Sequence, residues 1–169
     1  MSQPINSARF NVGDNAVYPA HGVGVIEAIE RKVISGKTQT FYVMRILHNG
    51  MTIMIPMDNV RSVGLRQVIS REEVLKIYGI LREKDLPKDN NQTWNRRYRQ
   101  YTEKIKTGSV YEIAEVLRVL FHLKSSKELS FGEKKILDTV QNLLVKEISI
   151  VKKQKEEETR KEMVNILTS

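Results

Sequence analysis

The residues best suited to chemistry lie in one short segment, Thr93 to Tyr101, with the sequence TWNRRYRQY. It holds the only tryptophan of the 169-residue chain, together with three arginines and two tyrosines. Aromatic rings can stack on bases or wedge between them, and arginines can neutralise phosphates. The segment therefore indicates a nucleic-acid partner. The candidate DNA-binding residues are Trp94, Arg96, Arg97 and Arg99.

The charge of the chain favours the same class of partner. Lys and Arg outnumber Asp and Glu by 28 to 20, which gives a net charge of +8. An excess of this size attracts polyanions such as DNA, RNA or an anionic membrane surface. Residues 94–106 carry five basic residues and one acidic residue, so the positive charge is concentrated beside the tryptophan.

Two interpretations of Trp94 are open. Residues 93–106 have a helical pattern, and one stripe of that helix carries Trp94, Tyr98, Tyr101 and Ile105. Such a stripe is typical of a buried face. Alternatively, Trp94 lies at the exposed start of the helix, where free backbone N–H groups and the positive dipole end suit a phosphate. Glu103 is the one acidic residue spaced to pair with an arginine, Arg99.

Residues that would support catalysis or metal binding are sparse. The chain has no cysteine, which excludes disulfides, thiol catalysis and thiolate metal sites. His21, His48 and His122 do not have the spacing of metal ligands. Neither a phosphate-binding G-x-x-x-x-G-K-[ST] loop nor a G-x-S-x-G nucleophile motif occurs. We expect no enzyme, with no catalytic residue, no metal and no cofactor.

The N-terminal part has the pattern of short strands. Five are predicted, near Ala16–Pro19, Val23–Ile29, Phe41–Leu47, Met51–Pro56 and Val60–Val63. Ser35-Gly36 marks a turn, and Asn49-Gly50 predicts a type I′ hairpin turn with positive φ at both residues. Five short strands in about 55 residues indicate a small SH3- or Tudor-like β-barrel.

The strand Met51–Pro56 offers a second candidate surface. Side chains alternate between the two faces of a strand, and a small barrel has only one interior. Half of the apolar side chains of Met54 and its neighbours must therefore point elsewhere. An exposed apolar strand of this kind can bind a protein partner by strand addition, or the helical part of the chain can cover it.

After residue 69 the apolar residues recur with the spacing of a helix. Three capping boxes, which begin at Ser70, Ser109 and Ser130, predict helix starts. A break is predicted at Pro87 and Lys88–Gln92, and residues 152–162 are expected to continue as an exposed helix, after which Met163–Leu167 dock or fray. The predicted fold is α+β with two domains, a β-barrel at 1–68 and a compact all-α bundle at 69–169.

No basic leader with an apolar run begins the sequence, and no apolar stretch approaches the ~20 residues that span a bilayer. We expect a cytoplasmic monomer without a membrane partner.

The motifs of this chain resemble those of the CarD-like (CdnL-type) family of bacterial transcription regulators. The resemblance runs from about Phe10 to about Leu144. The matching N-terminal motifs are Val12–Asp14, Val17–Gly24 and Ile53–Pro56. The matching C-terminal motifs are Trp94–Tyr98, Lys106–Ser109, Ile113–Val116 and Leu129–Lys134. Transcription-repair coupling factors share the N-terminal module, but this sequence lacks their motor motifs.

The resemblance implies specific roles for both parts. A Tudor-like N-terminal domain would bind the β subunit of RNA polymerase, and a helical C-terminal domain would touch promoter DNA at the upstream edge of the transcription bubble. Trp94 matches the family's minor-groove wedge, and Arg96 and Arg97 match its paired arginines. The polymerase-binding positions fall on Met44, Met54 and Pro56, with Arg31 and Lys32 nearby. Some members carry arginine in place of Lys32 and Met54, so a more apolar polymerase contact is expected here.

The sequence leaves two other classes of function open. One is an independent DNA- or RNA-binding module, which rests on net charge alone. The other is a protein-interaction adaptor whose basic helix is merely solvated. The resemblance favours an initiation factor that stabilises the open promoter complex.

Overall fold

The computed structural model describes residues 9–85 and 93–169. The predicted break at Pro87 and Lys88–Gln92 lies outside these residues. The chain divides into two compact units, one that ends at Val68 and one that begins at Ile69. The first unit carries the β-strands and the second carries the long helices, so the predicted α+β class is confirmed.

The first unit is built on a five-stranded antiparallel sheet. Its strands are β1 (Asn15–Tyr18), β2 (Gly22–Ile34), β3 (Lys37–Ile46), β4 (Thr52–Pro56) and β5 (Arg66–Gln67). The strand order is β4-β3-β2-β1-β5, which places β4 at one edge and β5 at the other. The number of strands agrees with the prediction, although β2 and β3 are much longer than expected.

The turn between β2 and β3 lies where it was predicted, whereas the turn between β3 and β4 differs in type. Ser35 and Gly36 link β2 to β3 with φ values of 52° and 76°, so the turn with two positive φ angles lies here. The hairpin predicted at Asn49-Gly50 is confirmed, because β3 and β4 pair antiparallel, but the predicted type I′ turn was wrong. Gly50 alone of this pair has positive φ, and its N–H donates to the carbonyl of Ile46 at 2.9 Å. Residues 47–51 therefore form a longer loop between β3 and β4.

The predicted strand at Val60–Val63 was also wrong. These residues form a one-turn helix, α1 (Val60–Val63), which follows a 3-10 turn at Met57–Asn59. Gly64 ends the helix with φ 76° in the left-handed region, and its N–H donates to the carbonyls of Arg61 and Val60. The last strand, β5, comes after this cap and pairs with β1.

The second unit is a bundle of five long helices. They are α2 (Arg71–Arg82), α3 (Trp94–Lys106), α4 (Val110–Ser126), α5 (Phe131–Lys152) and α6 (Glu156–Thr168). Ser70 and Ser130 begin complete capping boxes, as predicted. Ser109 accepts the N–H of Glu112 at 3.5 Å, but the Glu112 carboxylate accepts the Thr107 hydroxyl instead, at 2.7 Å. That cap is therefore only half of the predicted box.

The C-terminal segment was expected to continue as one exposed helix, and this was wrong. Lys153 adopts φ 53°, which ends α5, and α6 then folds back onto the bundle. Met163 and Leu167 are buried in the core, so this segment docks. At its middle, Glu162 accepts hydrogen bonds from Tyr78 at 3.0 Å and from Lys152 at 2.5 Å.

Within residues 9–85 and 93–169, no helix combines the length and the apolar character that crossing a bilayer requires.

Docking of α6 predicts a large effect of a mutation near the C-terminus. Met163 has no exposed surface, so Met163→Ala should lower the free energy of unfolding by about 2–5 kcal/mol. Lys161 lies on the exposed side of α6, in a solvated pair with Glu157 at 3.6 Å. Lys161→Ala should therefore change stability little. Urea unfolding of the two variants checks this, and equal stabilities would show that α6 does not support the bundle.

Candidate nucleic-acid interface

Helix α3 turns three of the four residues of the predicted stripe inward, and Tyr98 is the exception. Its half-buried or buried positions are Trp94, Arg97, Tyr101, Thr102, Lys104 and Ile105. Tyr98, which was expected on the buried stripe, is 48% exposed. Arg97 takes the inward place one residue earlier and is half-buried. The arginine-rich segment therefore has one inward arginine and two outward ones, Arg96 and Arg99.

The Trp94 ring rests on the first turn of α5. A Cβ atom at Gly132 would lie 2.8 Å from Cζ2 of the indole, so a glycine is what permits this close approach. The indole also lies 5.6 Å from the ring of Tyr98, centroid to centroid. The indole packs against the bundle core yet is only partly buried. It is therefore neither a core residue nor a freely exposed wedge.

Sequence reasoning missed Phe131, the residue that precedes Gly132. Its side chain is 85% exposed, the largest exposure among the large hydrophobic residues that the structure describes. The signal was present in the sequence, because Phe131 lies off the apolar stripe that Ile136, Leu137 and Val140 define on α5. Trp94 and Tyr98 are neighbouring rings on α3, and Phe131 is an exposed ring next to Gly132 at the start of α5.

The two outward arginines are available for anions. Among the residues that the structure describes, neither Arg96 nor Arg99 has an ion-pair partner, and the expected pair between Arg99 and Glu103 does not form. The first turn of α3 holds no acidic residue. Arginines near the positive end of a helix dipole are unfavourable for the helix itself, and a bound phosphate would offset that cost.

Glu133 organises the α5 side of this interface. Its side chain is almost fully buried, and its Oε1 accepts the N–H of Ser130 at 3.0 Å and lies 3.4 Å from Nζ of Lys127. Burial acts to raise the pKa of Glu133. The hydrogen bonds from Ser130 and the charge of Lys127 outweigh burial and lower that pKa, so the carboxylate stays charged at neutral pH.

The candidate polymerase-binding residues divide between the two faces of the sheet. Lys32 and Met54 lie on the same face, with Nζ of Lys32 3.8 Å from Sδ of Met54. Pro56 pairs with Phe41 and Met54 with Val43, so Pro56 shares that face at the edge strand β4. Met54 is 39% exposed.

Two of the candidates lie elsewhere. Arg31 is exposed but precedes Lys32 in β2 and so projects from the opposite face. Met44 has no exposed surface. A Cβ atom at Gly24 would lie 2.6 Å from Cε of Met44, which shows how tightly its side chain is enclosed. We therefore correct the expectation for Met44, which supports the sheet core and cannot offer its side chain to a partner.

Comparison with known proteins identifies the family. Residues 10–69 match the CarD-like/TRCF RID domain, and residues 76–165 match the C-terminal domain of CarD. The chain belongs to the CarD-like family. It is 40% identical over 143 residues to YdeB of Bacillus subtilis (strain 168), which is named as a candidate transcription factor. The aligned region covers 85% of this chain and 92% of YdeB.

Two solved structures of N-terminal domains are also similar to this CarD-like protein. One is CdnLNt from Myxococcus xanthus, which is 55% identical, covers 38% of this chain and 90% of its own, and has a TM-score of 0.33. The other is the 72-residue N-terminal domain of Myxococcus xanthus CarD, 36% identical, with coverages of 40% and 92% and a TM-score of 0.31.

Family membership makes the chain a transcription regulator, with a partner in the transcription machinery. The family is not a class of enzymes. The resemblance to CarD-like proteins is thus confirmed over both units of the chain.

The contact between Trp94 and Gly132 predicts a diagnostic substitution. Gly132→Ala should push the indole off α5, because the new methyl group would overlap the ring. Since Trp94 is the only tryptophan, its fluorescence should shift to the red and become easier to quench with acrylamide. Unchanged emission in Gly132→Ala would contradict the contact.

Gly79→Ala is the matched control for this substitution. Gly79 lies within α2, and a methyl group added there would meet no neighbouring side chain or element within 4 Å. The change should stabilise the helix by about 0.5–1 kcal/mol and leave the emission of Trp94 unchanged.

Proposed function

We propose that this CarD-like protein binds the β subunit of RNA polymerase through β4 and stabilises the open promoter complex through α3. The observation that carries the proposal is the position of Trp94, which rests on Gly132 and neighbours the ring of Tyr98 on a helix that also carries the exposed Arg96 and Arg99. This surface offers apolar rings for an unstacked base step and cations for the flanking phosphates.

The mechanism requires a preference for open DNA. A melted promoter closes again unless something binds its upstream fork more tightly than it binds the closed duplex. Unstacking costs a few kcal/mol per step, and an inserted ring with phosphate contacts offsets that cost. Trp94 enters the minor groove at the upstream bubble edge, and Arg96 and Arg99 hold the backbone beside it.

A partly buried indole suits this task. Its inner edge is fixed by Gly132 and by the core, so little conformational freedom is lost when its outer edge meets a base. The ring of Tyr98, 5.6 Å from the indole between centroids, extends the apolar area next to it. A few such contacts give weak binding that tolerates many sequences. Attachment to polymerase then supplies the high effective concentration that two modest surfaces need.

The polymerase contact lies on the outer face of β4. As an edge strand, β4 can accept a further strand, and Met54 and Pro56 add an apolar patch with Lys32 at its border. Where other members of the family carry arginine at the positions of Lys32 and Met54, this chain relies more on apolar contact. Arg31 projects from the opposite face of the β2–β3 hairpin, so its side chain lies outside the patch of Met54 and Pro56.

The DNA contact predicts the effect of Trp94→Ala. The half-life of open promoter complexes should fall about tenfold or more, as expected for a loss of at least ~1.4 kcal/mol of differential binding. Trp94→Phe, which keeps a ring, should retain part of the effect. Equal half-lives with wild type and Trp94→Ala, while both still bind polymerase, would refute the wedge. Tight binding to duplex or RNA without polymerase would instead favour an independent nucleic-acid-binding module.

The polymerase contact predicts that Met54→Asp weakens binding to the β subunit. The new carboxylate would have to be desolvated within an apolar interface. Met51→Asp is the control, because Met51 is 41% exposed and lies in the loop before β4 rather than on the strand. Affinities measured by biolayer interferometry should separate the two variants, with circular dichroism to verify their fold. Equal affinities of folded Met54→Asp and wild type would remove Met54 from the site.

A further inference from the structure

The end of the β2–β3 hairpin is a ribbon of only two strands. Strand β4 pairs with β3 at residues 41–45, and β1 pairs with β2 at residues 22–25. Residues 31–34 and 37–40 pair with each other and, within the part of the chain that the structure describes, with no third strand. Four residues of a strand span about 14 Å, so this ribbon extends well past the three-stranded part of the sheet.

The ribbon leaves apolar side chains in solvent. Residues 31–38 are all exposed, and Val33 and Ile34 at the tip are 74% and 47% exposed. A two-stranded hairpin with neither face covered is only marginally stable in water. Burial of Val33 and Ile34 against a partner would offset that weakness, so the ribbon is a candidate contact surface.

The charge of the ribbon identifies the class of partner. Residues 31–40 include three basic residues and no acidic one. Lys32 lies 3.9 Å from Glu30, but neither Arg31 nor Lys37 forms an ion pair among the residues that the structure describes. The remaining polar side chains are hydroxyls and an amide, which share with Arg and Lys the contacts that proteins make to DNA phosphates. They are Ser35, Thr38, Gln39 and Thr40.

The two free cations lie on opposite faces of the ribbon. Lys37 is the cross-strand partner of Ile34, and Arg31 is three positions before Ile34 in β2, so the two side chains project to opposite sides. A flat protein surface would cover only one face. A DNA groove carries phosphates along both of its walls. The major groove, about 12 Å wide and about 8.5 Å deep, admits a two-stranded ribbon, and this one is longer than the groove is deep.

We propose that the ribbon is a second DNA-contacting element, whose tip enters a groove of duplex DNA with Arg31 and Lys37 on phosphates of opposite walls. Val33 and Ile34 then lie against the base edges, where apolar side chains can contact thymine methyl groups. This contact gives Arg31 a role that its position opposite Met54 leaves open. It goes beyond the proposed function and does not depend on α3.

The salt dependence of binding between the full-length protein and a fluorescent DNA duplex tests the contact. The double variant Arg31→Gln/Lys37→Gln should reduce the slope of log K against log salt by about 2, because two phosphate contacts are lost. Arg9→Gln/Arg61→Gln removes the same charge from exposed positions of the same unit and should change the slope little. Lys37→Gln alone should reduce the slope by about 1, and it serves if the double variant does not fold.

An unchanged slope in Arg31→Gln/Lys37→Gln, or an equal reduction in the control, would overturn the contact. Self-association of the ribbon variant at an unchanged slope, seen by light scattering, would also overturn it, because the cations would then only protect the free strand edges. So would weaker binding to polymerase at an unchanged slope, which would make the ribbon a protein surface.

The variant Arg96→Gln/Arg99→Gln, measured in the same assay, separates the ribbon from α3. If it keeps the wild-type slope while the ribbon variant loses about 2, the DNA contact proposed for α3 fails and the ribbon contact stands. The reverse result removes the ribbon and leaves the α3 contact in place.

Discussion

The approach of the Trp94 ring to the backbone of Gly132 is the constraint on which the interface depends. Any side chain at that position would clash with the indole, since its first carbon would lie 2.8 Å from Cζ2. The contact joins the start of α3 to the start of α5, so the helix caps at Thr93 and Ser130 become parts of one site. Glu133 completes the Ser130 cap and places its charge beside the same junction. The Ser130 cap, Gly132 and the Trp94 ring are therefore parts of one contact, and a change in one affects the others.

The interface is assembled at some cost to local stability. Basic residues lie in the first turns of α3, where the helix dipole favours acidic ones, and the Phe131 ring is left in solvent. The rest of the bundle compensates for this loss of local stability. Helices α4 and α5 bury long apolar stripes, and α6 folds back to add Met163 and Leu167 to the core. A stable helical core beneath surface residues that do not favour local stability is the arrangement expected of a binding site.

Much of this could be predicted from the sequence. Two capping boxes, four of the five strands and the division between strand-like and helical spacing of the apolar residues follow from local rules. One position of the inward stripe of α3 could not be predicted, because Arg97 and Tyr98 are neighbours on the helix and packing against the other helices decides which of them turns inward. The burial of Met44 was hidden for a similar reason, since nearly every residue of Phe41–Ile46 is apolar and alternation cannot be seen. The end of α5 depends on Lys153 in a left-handed conformation, which no glycine announces.

The most direct test is the affinity of the full-length protein, at low salt, for two promoter fragments of identical length, one fully paired and one with an unpaired upstream fork. We expect tighter binding to the forked fragment, with quenching of the Trp94 emission as the ring meets an unstacked base, and loss of the preference in Trp94→Ala. Equal affinity for the two fragments, with unchanged emission, would contradict it.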